Sequence, residues 1–294
     1  MLAGALQAVV ERGYERLLQA EIGETPSHVA VIQDGNRRYA RATGDRPTAG
    51  HHAGAHTTEA LLRWCRDLGI DELTLYAFST ENFDRPPAER EALFDLIAEK
   101  LRDFARADEV HENGVRISII GDVERLPPHV QSAVEEATEA TVGYDRFRLN
   151  VALAYGGRWE LLQVAKAVCR DVEGGRCRPE DVTVEALESR LSEAPERAVD
   201  LIVRTGGDER TSNFLPWHAN GNEAAVYFCT PYWPEFSKAD FLRGLRTYEH
   251  RQRTWEHSNA QRVMALVRAL RGEERPVKPR SGLARVRRLL ANRL

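Results

Sequence analysis

Short apolar runs recur along this chain, and each stops abruptly at polar residues. Val29, Ala30, Val31 and Ile32 form the sharpest, with three β-branched members, followed by Gln33 and then Asp34, Gly35, Asn36, Arg37 and Arg38. Runs of this kind read as strands buried on both faces of a parallel sheet. The same pattern predicts strands over 28–33, 72–78, 115–120, 147–154, 200–203 and 224–229. Apolar residues at helical spacing predict helices over 2–21, 52–68, 128–141, 159–172, 184–191, 238–253 and 259–270. Gly69 is placed to end one of them. Pro86 and Pro87 open a long helix to about 104, whose Leu93, Phe94, Leu96, Ile97 and Leu101 cover more than one stripe, so it packs on two sides. Alternating strands and helices imply an α/β fold: a single domain with a central, mainly parallel six-stranded sheet flanked by helices. Its expected span is 1–272, followed by a basic tail over 273–294.

Composition narrows the class. With 42% hydrophobic and 29% charged residues the chain is an ordinary globular protein rather than a disordered one. A net charge of −4 argues against general nucleic-acid affinity, but residues 275–294 carry seven basic residues and no acid, leaving −11 for the rest. In that tail Leu283, Val286, Leu289, Leu290 and Leu294 fall at helical spacing among arginines, which reads either as a solvated end or as a peripheral contact with anionic membrane. Cys65, Cys169, Cys177 and Cys229 show no C-x-x-C spacing and are expected to be buried thiols. No apolar run reaches the roughly 18 residues of a membrane span. With no basic leader before the first apolar residues, a cytoplasmic protein is expected.

Three polar clusters follow three strands, over 34–38, 79–85 and 204–212, and a parallel sheet brings all three to one edge, where such sheets bind ligands. They offer arginines 37, 38, 85, 204 and 210, the hydroxyls of Ser79 and Ser212, the Asn82 amide and the Asp34 carboxylate; Glu223 stands just before the last strand. Guanidinium grips phosphate in a forked geometry. Magnesium takes one or two carboxylates plus phosphate oxygens. The inventory suits two diphosphates and a divalent cation. The plain alternative makes Asp34 or Asn36 a helix cap. Neither G-x-G-x-x-G nor G-x-x-x-x-G-K-[ST] occurs, which disfavours dinucleotide and P-loop readings.

Six segments carry a resemblance: H-V-A-V-I-Q-D-G-N-R-R-Y-A, G-H-x-A-G, L-T-L-Y-A-F-S-T-E-N-F-x-R-P, N-x-A-x-x-Y-G-G-R-W-E, D-L-I-V-R-T-G-G-x-x-R-x-S-N-F-L-x-W and Y-F-x-x-x-x-W-P-x-F. In order and spacing, over about 28–253, they resemble the cis-prenyltransferase (undecaprenyl diphosphate synthase) family. The resemblance implies a homodimer that adds isopentenyl diphosphate units in cis to an allylic diphosphate, farnesyl or geranylgeranyl, with Mg2+. By position it implies that Asp34 handles magnesium and the diphosphates. Gly35, Asn36, Arg37, Arg38 and Tyr39 would cradle the allylic diphosphate, with Arg85 and His51 beside it. Ser79, Asn82 and Phe83 would surround the reacting carbons, with Thr80 and Glu81 among the substrate-binding residues. Arg204, Arg210, Thr211 and Ser212 would hold isopentenyl diphosphate, and Glu223 would be a second metal-associated carboxylate. Small Ala77 would leave the product tunnel open, toward a long product.

The chain departs from the family pattern at Pro47, where an arginine is expected and Arg46 is the candidate substitute. It departs also at Glu209 for histidine, at Tyr39 and Phe83 for tryptophans, and at the polar run 219–222. Two rival readings are a non-catalytic partner subunit of this fold and a short-chain cis-prenyl synthase.

Overall fold

A computed structural model describes residues 2–191, 195–219 and 224–270. The elements run α1 (Leu2–Glu21), β1 (His28–Ile32), α2 (Asn36–Thr43), α3 (Pro47–Asp67), β2 (Glu72–Ser79), α4 (Pro87–Arg106), α5 (Asp108–Glu112), β3 (Val115–Ile120), α6 (Pro128–Thr141), β4 (Phe147–Tyr155), α7 (Gly157–Glu173), α8 (Val184–Glu188), β5 (Leu201–Arg204), β6 (Ala225–Phe228) and α9 (Lys238–Leu270). Residues 1–251 form one compact unit, and 252–294 form a second.

Six strands make one sheet in the order β3-β4-β2-β1-β5-β6, every pair parallel. All five residues of β1 are buried. Successive side chains point to opposite faces: Val29 and Val31 join a large core with Leu61, Leu93, Phe94, Val130 and Leu245, while Ala30 and Ile32 join a smaller one with Phe214 and Leu215. A sheet buried on both faces is what the unbroken apolar runs require. The expectation that the long helix packs on two sides holds: Leu93, Phe94, Leu96, Ile97, Ala98 and Leu101 are all buried on α4.

Four expectations are corrected. Helix α2 is foreshadowed only by the alternative of a cap at Asp34 or Asn36, because N-R-R-Y-A-R-A-T buries only Ala40 and shows no apolar stripe; its cap is Gly35 and Asn36 is its first residue. Helix α3 begins at Pro47, five residues early, because proline suits the first helical position. The last two helices are one, α9. Cys65 and Cys229 are buried, but Cys169 is exposed and Cys177 half-buried. Gly69 takes a left-handed φ of 72° just past the end of α3, as a terminating glycine does. Among the described residues, no helix is long and apolar enough to cross a membrane. The basic tail and Glu223 lie outside the described residues.

Candidate active site

Three adjacent strands, β2, β1 and β5, deliver the three polar clusters to the same sheet edge. Ile32 and Arg204 are paired in register. Arg204 therefore closes β5 rather than opening the loop after it, and its guanidinium meets the carboxylate two residues beyond Ile32: Arg204 Nη2 donates to Asp34 Oδ2 at 2.7 Å and to Asp208 Oδ2 at 3.2 Å. Arg204 Nη1 donates to Ser212 Oγ at 2.6 Å. Arg38 approaches the other Asp34 oxygen at 3.1 Å. Thr205 Oγ1 donates to the Asp34 carbonyl at 2.7 Å, which fixes the turn. Gly35 has φ 105°, and a Cβ there would lie 2.8 Å from the Tyr232 ring, so both conformation and space require glycine.

A second group of cations sits where α2, α3 and α4 meet. Glu89 Oε1 lies 2.9 Å from Arg85, 3.3 Å from Arg37 Nε and 4.0 Å from His51 Nε2. Arg85 donates toward His51 Nε2 at 3.4 Å. Ser79 and Asn82 hold each other in a reciprocal cap of the 3₁₀ turn Thr80–Asp84, with Asn82 Oδ1 accepting the Ser79 N–H at 3.0 Å. That leaves the Asn82 NH2 end to donate.

A cavity of about 520 Å³ joins both groups to an apolar arm. Its polar end is lined by Asp34, Gly35, Asn36, Arg37, Arg38, His51, Ser79, Asn82, Arg85, Arg204, Arg210 and Ser212, all singled out from sequence. Its arm is lined by Leu75, Ala77, Val151 and, along α4, Leu93, Leu96, Ile97, Leu101 and Phe104. Tyr39, Thr80, Glu81, Phe83 and Thr211 are not in the lining. Phe83 instead packs 5.0 Å from Phe78, with the Arg125 guanidinium 4.2 Å over its ring. Arg46 is exposed at the start of α3 and stays out of the lining, as does exposed Glu209; Arg41 is the additional arginine that lines it. Sequence reasoning also passed over Lys100, Asp208, Trp233 and, behind the lining, Glu89. The position of Arg41, three and four residues after Arg38 and Arg37, was a usable signal once 36–43 is helical.

Electrostatics follow from the imbalance of charge. The lining holds six arginines and a lysine against Asp34 and Asp208. Burial alone would raise the Asp34 pKa, but the bonds from Arg204 and Arg38 outweigh it and hold the carboxylate below its usual range. Burial, then Arg85 and Arg37, push His51 down to about 4, so its imidazole is neutral near pH 7. Burial also pulls Arg85 below its ordinary value, against Glu89. Among the described residues no three acidic, histidine or cysteine side chains gather as a metal cage. One ionised aspartate beside an arginine-lined cavity still fits magnesium, which takes few protein ligands and otherwise phosphate and water oxygens.

Comparison with known proteins places the chain in a family and a fold. A family model described as "Putative undecaprenyl diphosphate synthase" matches residues 32–256. A tritrans,polycis-undecaprenyl-diphosphate synthase (geranylgeranyl-diphosphate specific) of Halobacterium salinarum is 63% identical over 88% of this chain and 86% of its own length. One of the same name from Haloarcula marismortui is 61% identical over 91% and 88%. The crystal structure of lavandulyl diphosphate synthase from Lavandula x intermedia, in complex with dimethylallyl diphosphate, superposes with a TM-score of 0.71 at 31% identity, covering 76% of this chain and 95% of that one. A probable undecaprenyl diphosphate synthase from Campylobacter jejuni gives 0.62 at 30% identity, covering 77% and 96%.

Proposed function

The chain belongs to the undecaprenyl diphosphate synthase family of cis-prenyltransferases, and from that premise we propose that it extends geranylgeranyl diphosphate to a long polycis-polyprenyl diphosphate. It is a prenyltransferase that adds successive isopentenyl diphosphate units to an allylic diphosphate. One observation carries the reading: a single cavity joins two arginine groups at the strand ends to an apolar arm along α4. That form takes a diphosphate head and a hydrocarbon tail together. The printed names of the two relatives support the geranylgeranyl starter. A partner subunit without activity is disfavoured, since Asp34, Asn82, Arg38, Arg85, Arg204 and Arg210 all line this cavity.

Ionising the allylic diphosphate places negative charge on the leaving group. Fixed guanidiniums stabilise charge where it develops, without reorganising at that moment. We assign Arg37, Arg38, Arg85 and neutral His51 to the allylic diphosphate, and Arg204, Arg210 and Ser212 to isopentenyl diphosphate. Asp34 stands between, ionised and held by arginines on both sides. The double bond of isopentenyl diphosphate attacks the allylic carbon as the C–O bond breaks, and a proton leaves the adjacent carbon. Asn82 is an amide and hardly basic; its NH2 end donates to a diphosphate oxygen and so positions the substrate, and a diphosphate oxygen accepts the proton. Enzymes of this class generally use a divalent metal. Magnesium held by Asp34 and phosphate oxygens would supply further charge stabilisation. The assignment of Glu223 to that metal, a homodimeric assembly and a membrane-facing basic tail belong to the same proposal.

Initial rates with labelled isopentenyl diphosphate and each starter test the assignment. Geranylgeranyl diphosphate is expected to give a kcat/KM at least about tenfold above farnesyl diphosphate, a margin of about 1.4 kcal/mol. Equal values, or a preference for farnesyl, contradict it.

A further inference from the structure

The motif Y-G-G-R-W-E, residues 155–160, lines no part of the cavity, yet it lies between two of the clusters that do. Tyr155 pairs in register with Ser79 at the end of β2. The next residue, Gly156, has an extended backbone at φ −161°, which any residue adopts. Its need for glycine is spatial. A Cβ there would lie 2.7 Å from Thr80 Oγ1 and 3.1 Å from Asn213 Nδ2. Thr80 begins the turn that holds Asn82, and Asn213 follows Ser212 directly.

The Ser212 side of this contact is anchored rather than loose. The Asn213 carbonyl accepts the Gly157 N–H at 2.8 Å, and Asn213 Oδ1 accepts the Arg158 N–H at 2.9 Å. One asparagine thus takes two donors from the first turn of α7, donors that otherwise lack helical partners. Pro216 packs where a Gly157 Cβ would be, 2.1 Å away. Ser212, Asn213 and Leu215 all have positive φ, between 49° and 60°, an unfavourable conformation for side-chain-bearing residues that persists only when the surroundings enforce it. Those surroundings include Tyr76, stacked 4.4 Å from Phe214 and donating to the Ser212 carbonyl at 3.4 Å. Behind them, Tyr155 donates to buried Glu160 at 2.7 Å, and Glu160 meets His218 at 3.1 Å.

We propose that residues 155–160 are a rigid spacer that sets the distance between the 79–85 and 204–212 clusters, with Gly156 as the point where the two sides meet. The proposal rests on the two-diphosphate reading above. Gly156 touches no substrate and is a positioning residue. A methyl group there presses on the Thr80 side chain and on the Asn213 amide, whose oxygen is held by the Arg158 N–H, and the strain passes to the segments that carry Asn82 and Ser212. Each cluster keeps its own contacts, so each diphosphate still binds. Their mutual approach is what suffers, and reaction rates fall steeply with small misplacements.

The test is Gly156→Ala in the full-length chain, alone and with Thr80→Ala. The expected result is a kcat lowered about tenfold or more in the wild-type background, KM for each diphosphate within about threefold of wild type, and a loss of no more than about threefold when Gly156→Ala is added to Thr80→Ala, each effect taken relative to its own background. A wild-type kcat, a loss seen in KM instead, or an equal loss in both backgrounds overturns the proposal. If Gly156→Ala alone does not fold, Thr80→Ala is compared with the double variant. Turnover within about threefold of Thr80→Ala upholds the spacer, and a tenfold loss there overturns it. A wild-type chain that incorporates no isopentenyl units would remove the two-diphosphate reading instead.

Discussion

At the amino ends of the strands, Glu72 accepts hydrogen bonds from Asn150 Nδ2 at 2.7 Å and from the backbone of Glu196 and Arg197, both at 3.1 Å. His28 bonds Thr74 at 2.7 Å and the Arg197 carbonyl at 2.8 Å. At the carboxyl ends, Asp34, Asp208 and Glu89 face a surplus of arginines around an open cavity. Both edges are polar, but the amino edge is buried, whereas at the carboxyl edge Arg204 is buried and Arg37, Arg38 and Arg210 reach solvent. The amino-edge carboxylate finds its donors within the fold, so that network stabilises structure and asks for nothing more. The carboxyl edge has more cations than the chain's own carboxylates can pair. The cations left over, Arg37, Arg38 and Arg210 among them, stand part-exposed where an incoming anion can reach them, which favours this edge over the other as the site.

The contrast is open to direct attack, beginning with its largest expected effect. Asp34→Asn removes the carboxylate between the two arginine groups and is expected to lower kcat by about 10²–10³-fold, with only a modest fall in the denaturation midpoint from the lost Arg204 and Arg38 ion pairs. A loss of stability with kcat intact would make Asp34 structural, like Glu72.

The buried histidines give the next comparison. Burial lowers the pKa of His28, opposed by Glu72 and Asp200, whereas His51 is pushed down to about 4 by burial and by the positive field of Arg85 and Arg37. Each group binds its proton less well folded than unfolded. Each therefore adds stability that is full above about pH 6.5 and declines as pH falls; for His51 about 3 kcal/mol is lost between pH 6.5 and 4. Inorganic pyrophosphate should raise His51 by roughly one unit or more, because a nearby anion favours imidazolium, and leave His28 unmoved. Histidine NMR titrations with and without pyrophosphate measure this, and equal responses would erase the distinction.

Arg204→Lys keeps the charge but loses the fork that reaches Asp34, Asp208 and Ser212 together. It is expected to cost about 10–100-fold in kcat/KM, mostly as KM for isopentenyl diphosphate. At the other edge, Glu72→Gln sets an NH2 against backbone N–H groups and should cost about 1–3 kcal/mol of stability with unchanged kcat. Chemical denaturation and initial rates on the same samples decide both.

Much of this was legible in the sequence, for identifiable reasons. β3 and α6 have their expected bounds because apolar period and terminators coincide there: Gly121 after Ile120, and Pro127-Pro128 at the cap and first position of the helix. The three clusters were visible because abrupt polarity after an apolar run marks a strand end. Helix α2 was not, since its polar residues face the cavity and solvent rather than a core. Arg41, Lys100 and Glu89 were missed because they meet the site only through the packing of α2 and α4, which local pattern does not encode. Phe83 was placed beside the reacting carbons by resemblance, and its ring belongs to the Phe78–Phe94 core.

The central claim is that one cavity aligns two diphosphates for repeated addition in cis. Its most direct test is to incubate the chain with geranylgeranyl diphosphate, labelled isopentenyl diphosphate and magnesium, then size the products and determine the geometry of the new double bonds. The account predicts a series of lengthening polyprenyl chains whose added units are all cis. No incorporation, a stop after one addition, or trans units would contradict it.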